Sequence, residues 1–263
     1  MKTNLVVFLT VGLALNSPLP AQSANSVSDC DQSYSKRGIA ALEQAVECYG
    51  SLTASLADDQ KRMVFERTMI ALSALVNDHP KTEAEGNAIA KALPAIEAFG
   101  KFAPESSDFF YWRAVFTSFD AIRKDRGSVL PRHLFAVIRP IQDDLRRAIE
   151  RDPSVHVYGP HRVLGIMHTQ MPGIVGGDKT LAEKMLKEAY TRAPQISLNH
   201  LAYARILQVN GKDELAKEVV TKFLARPDSE LDPYPAEPLR SVIPELVKDR
   251  SEARKILDEL NGD

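Results

Sequence analysis

The chain has 263 residues, 44% of them hydrophobic, and its 33 Lys and Arg against 35 Asp and Glu leave a formal net charge of −2. That near-balance excludes the basic footprint of a nucleic-acid binder and the single-sign surface that seeks anionic lipid. The length suits one helical-repeat domain or two small domains.

Residues 1–24 are expected to be a secretory signal peptide. Lys2 supplies the positive start, Leu5 to Leu15 form an apolar run of 11 residues, and Pro18 and Pro20 precede the small residues Ala21, Ser23 and Ala24. Such a run is too short to span a bilayer as a helix. Cleavage is expected within 21–24, and loss of Lys2 takes the net charge from −2 to −3. Val27-Ser28-Asp29 ahead of Cys30 lacks the small-residue box of a lipoprotein. The expected product is periplasmic or secreted, with no stable membrane span after cleavage. In that compartment Cys30 and Cys48, 18 residues apart, are expected to form a disulfide, the alternative being two separate thiols.

From Ser35 onward nearly every segment has helical periodicity and none alternates like a strand. Ala40, Leu42, Ala45, Val46 and Tyr49 mark a helix that stops at Gly50. Asp58 or Asp59 starts a second, carrying Met63, Ile70, Leu72, Leu75 and Val76. Thr82 and Glu85 have capping-box spacing for a third, running to Gly100 with a kink expected at Pro94. Ser107 or Asp108 opens an aromatic helix in which Trp112, Phe116 and Phe119 share the core face. A turn over 125–131 leads to a longer helix from Leu134 to Arg151. Helices then follow near Val157–Met171, Lys179–Ala193, Ser197–Asn210 and Glu214–Ala225. A proline-rich crossing (Pro227, Pro233, Pro235, Pro238, Pro244) ends in a charged helix near Ser251–Leu260.

The expected fold is all-α, with TPR-like antiparallel helical hairpins stacked as an α-solenoid over 25–226. The segment 227–263 is expected to pack on that domain. The register of small residues supports this. Ala148 and Ala189 each stand five residues before a proline (Pro153, Pro194), and Leu145 and Leu186 stand three before those alanines. Small residues at these points let neighbouring helices touch. Ala204 and Gly211…Ala216 repeat part of the spacing, but Phe223 occupies the late alanine position. Gly165 to Ala182 is 17 residues, where a standard repeat has about 12. The insert holds Gly173, Gly176, Gly177 and Asp178, which read as a structural turn capped by Asp178; an acid there opposes anion binding.

The aromatic helix with Tyr111-Trp112-Arg113-Ala114, the Arg162-Val163-Leu164-Gly165 segment, the Pro172…Gly176-Gly177-Asp178 turn and the Ala182/Ala189 helix together resemble a family of bacterial exported TPR-like proteins. This is the T-component family associated with tripartite ATP-independent periplasmic (TRAP) transporters. The likeness spans about 35–226 and is dense from 105 to 215. It implies an exported helical-repeat protein that oligomerises and docks a periplasmic solute-binding protein. Family members are often lipid-anchored, and this chain shows no lipobox.

No catalytic motif survives inspection. Ser33-Tyr34-Ser35-Lys36 matches Ser-x-x-Lys, but its companion motifs are absent and serines near an expected helix start serve as caps. The six histidines lack zinc-site spacing, so neither metal nor cofactor is expected. In a repeat stack the first helix of each pair lines the concave face, which nominates Tyr111, Arg113, His161, His168, His200 and Tyr203 as groove residues. The expected function is non-enzymatic binding of a protein or peptide, as an accessory to solute uptake. Two alternatives stay open: a binder of a small apolar ligand within the helical stack, and a periplasmic hydrolase with an unrecognised catalytic group.

Overall fold

A computed structural model describes residues 26–52, 56–128, 132–231 and 243–262. The signal-peptide segment and Pro233, Pro235 and Pro238 lie outside these. Among the described residues there are eleven α-helices and no strand. They are α1 (Val27–Ser35), α2 (Ile39–Leu52), α3 (Asp58–Asp78), α4 (Glu83–Phe102), α5 (Ser107–Lys124) and α6 (Arg132–Arg151), then α7 (Val155–Gln170), α8 (Lys179–Arg192), α9 (Ser197–Val209), α10 (Asp213–Ala225) and α11 (Ile243–Asn261). None of them is long and apolar enough to cross a membrane.

Each helix packs on the next, and from α3 onward every odd-numbered helix also touches the following odd one. This is a stack of antiparallel helices whose inner layer is α3, α5, α7, α9 and α11. The small-residue register explains the close contacts. Ala148, Ala182, Ala189, Ala204 and Ala216 have no exposed surface. A Cβ on Gly165 would sit 2.5 Å from Leu186 Cγ, so α7 and α8 touch there through a bare backbone. Helix α11 belongs to this stack: Ala253 and Ile256 share an apolar cluster with Leu201, Ile206 and Phe223.

The ends of the helices show local causes. Ser26 and Asp29 form a reciprocal capping box at α1. Thr82 accepts the Glu85 N–H at α4, but the Glu85 carboxylate turns to the Lys81 N–H and to Arg126 instead of closing the box. Ser106, one residue before the expected start, caps α5.

Several expectations are corrected. The leading segment is itself a helix, so Ser33–Lys36 ends α1 and does not start the next one. Helix α4 runs through Pro94, as expected, and ends at Phe102, two residues past the expected Gly100. The sharp break falls in α7, where His156, Val157 and Tyr158 all take left-handed backbone angles (φ 48°, 54° and 60°). The last helix begins eight residues before the expected Ser251.

Candidate functional site: a groove on the inner face

The inner layer encloses a groove of about 780 Å³. Helical spacing supplies its walls in strips of i, i+3, i+4 and i+7. Helix α3 contributes Ile70, Ser73, Ala74 and Asn77, and α9 contributes Leu198, Leu201, Ala202 and Arg205. Arg162, Ile166, Thr169 and Gln170 come from α7, and α11 closes the far side with Lys248, Asp249, Glu252, Lys255 and Ile256. The floor is apolar, and the exposed rim is mostly polar, with Asn77, Gln170, Lys248 and Lys255 beside the apolar Leu198.

Most charges in the groove are answered within the chain. Asp78 pairs with Arg37 at 2.5 Å, Asp228 with Arg250 at 2.5 Å, and Arg205 with Glu252 at 2.7 Å and with Glu259. Asp249 accepts the Ser197 hydroxyl, and burial raises its carboxyl above the ordinary range. Arg162 differs. Its Nη1 donates to Asn199 Oδ1 at 2.8 Å and to the Val157 carbonyl at 3.4 Å, and neither partner carries charge. Asn199 is held in turn by donating to the Ala189 and Ala193 carbonyls at the end of α8.

None of the six nominated residues lines this groove. Tyr111 is buried against the His156 ring, with centroids 4.5 Å apart. Arg113 grips Asp144 at 2.7 and 2.5 Å, tying α5 to α6. His161, His168 and His200 are buried, and burial lowers all three below the usual histidine range. His200 Nε2 donates to the Pro194 carbonyl at 2.7 Å. Tyr203 is buried and stacks on Tyr190 at 5.1 Å. Of the three nominated helices, α7 and α9 line the groove and α5, which carries Tyr111 and Arg113, does not; on α7 and α9 the nominated histidines are one residue out, since His161, His168 and His200 immediately precede Arg162, Thr169 and Leu201. One residue is about 100° of rotation, enough to turn a side chain from groove to core.

Beside the groove lies a buried polar cluster that sequence reasoning missed. The His156 ring packs between Tyr111 and Trp112, with Nε2 3.3 Å from Asp108 Oδ1 and Nδ1 3.4 Å from Glu66 Oε1. Burial opposes ionisation of Asp108, yet His156 and Arg62 outweigh it and hold the carboxyl below its ordinary value. The two ring nitrogens face different carboxylates, so these groups do not converge on one point as metal ligands would.

Gly173–Val175 is one turn of 3-10 helix, Gly176 is left-handed (φ 94°), and a Cβ on Gly177 would collide with the Met171 carbonyl. Asp178 accepts the Leu181 N–H at 2.9 Å and so caps α8. Ile174, at the tip of this turn, is 96% exposed.

No family model and no curated protein matches this chain.

Proposed function

We propose that the chain is a non-enzymatic, periplasmic, TPR-like protein that binds a protein or peptide segment in its inner groove. The observation that carries the reading is the continuous strip of side chains from α3, α7, α9 and α11, apolar below and polar at the rim. An extended segment would lay alternate side chains on such a floor and meet the rim with its backbone. The resemblance to TRAP T-components adds the role of accessory to solute uptake.

Peptide selection on the immobilised mature protein tests the groove, using Leu198→Glu as the control. Leu198 is exposed on the rim, so the change spares the fold. Selected peptides are expected to lose about ten-fold or more in affinity for the variant, as for loss of an anchoring contact. Equal binding to both proteins removes the groove from the proposal. Genes beside this one test the transport role: a TRAP permease and a solute-binding protein are expected there, and their absence sinks it.

A further inference from the structure

Arg162 is the buried groove cation without a counter-ion among the described residues. It is 8% exposed, and a guanidinium keeps its charge under all ordinary conditions. A buried charge is normally paired, because leaving water without a partner of opposite sign is costly. Asn199 and the Val157 carbonyl are neutral. The third neighbour, the Tyr111 hydroxyl, stays neutral too, since burial raises it more than Arg162 lowers it. Each carboxylate lining the groove among the described residues is engaged elsewhere: Asp78 by Arg37, Asp228 by Arg250, Glu252 by Arg205 and Asp249 by Ser197. The guanidinium fork has more N–H donors than its three neutral neighbours use.

We propose that Arg162 receives the terminal carboxylate of a peptide whose last apolar side chains lie on Ile166, Leu201 and Ile256. One guanidinium answers one monoanion, and its planar fork matches a carboxylate. A phosphate dianion would call for further cations. Arg205 is already paired with two glutamates, and Lys248 is exposed to solvent at the rim. Asn199 and the Val157 carbonyl hold the fork in place before the ligand arrives. This assignment rests on the peptide-groove reading and names the end of the peptide that is read.

A random hexapeptide library with free C-termini is selected on the mature protein, and the winners are synthesised as C-terminal acids and as amides. Titration calorimetry should show acids binding about ten-fold or more tightly than amides, the scale of a charge-assisted hydrogen bond. Arg162→Gln should erase that difference, Arg162→Lys should keep part of it, and Leu198→Glu should weaken both forms. If Arg162→Gln does not fold, the acid–amide comparison on the unaltered protein decides alone. Equal affinity for acid and amide overturns the carboxylate site and leaves the groove reading standing. Binding of decanoate with no binding of any peptide overturns both, as does binding of neither.

Discussion

Val157 holds φ 54° and ψ 57° between two residues of the same hand. The left-handed region costs an ordinary residue about 1–2 kcal/mol, and a β-branched one tolerates it worst. Val163, on regular helix and equally half-buried, is the natural control. Val157→Gly should cost about 1–2 kcal/mol less than Val163→Gly in urea denaturation, because glycine relieves strain only at the first site. Equal costs would mean that the turn is unstrained. At Gly165 the contact is with Leu186, so Gly165→Val should destabilise by about 2–3 kcal/mol, and Leu186→Ala should recover part of that in a double-mutant cycle. The buried histidines set a pH dependence. His161, His168 and His200 all titrate lower in the folded chain than in the unfolded one, so the unfolded state takes up protons first. Their stabilisation is complete above the unfolded value of about 6.5 and is lost as pH falls through the folded values. The urea midpoint should therefore drop between about pH 7 and pH 5. His200→Gln, which keeps a donor for the Pro194 carbonyl, should flatten that drop.

At the level of elements, the structure bridges Cys30 and Cys48, with Cα atoms 5.4 Å apart, and ties α1 to α2. Reduction should cost about 3 kcal/mol in the chain-entropy model. Amide exchange should rise first in α1, which is otherwise held by Val27, Tyr34, the Ser26 cap and the Asp31 contacts to Tyr49 and Arg67. Uniform exchange across the chain on reduction would contradict this. Helix α1 was illegible in the sequence because Val-Ser-Asp-Cys-Asp-Gln-Ser-Tyr-Ser has almost no apolar period; the cap, the bridge and burial of Tyr34 make it a helix. The longer helices were legible. Gly and Pro punctuate them, and their apolar residues recur every three or four positions.

Over the whole molecule, the groove depends on α11 standing against α9 and α10. Arg250 holds it there by donating to the Leu224 carbonyl at 3.0 Å, the Arg226 carbonyl at 2.6 Å and Asp228 at 2.9 Å. Arg250→Ala should loosen α11, raise its amide exchange and weaken peptide binding, while protection of α2–α6 stays unchanged. The stack holds two apolar clusters, one running from Cys30 to Leu164 and the other from Ala182 to Ile256. Loss of protection in α2–α6 on the same substitution would show that the stack unfolds as one unit.

The sequence by itself determined the all-α class, most of the helices and the points where they touch. Those features follow from periodicity and from the size of single side chains such as Gly165, Ala148 and Ala189. Only the tertiary structure decided which face of those helices looks inward. Helix α9 is buried on several sides at once, so Leu201, Tyr203, Ala204 and Ile206 are all apolar and the pattern does not distinguish groove from core. The pairing of charges was equally hidden. Arg205 finds glutamates 47 and 54 residues away, whereas the described neighbours of Arg162, Asn199, the Val157 carbonyl and the Tyr111 hydroxyl, are all uncharged. Nothing local in the chain separates those two arginines; the fold does, by choosing their neighbours.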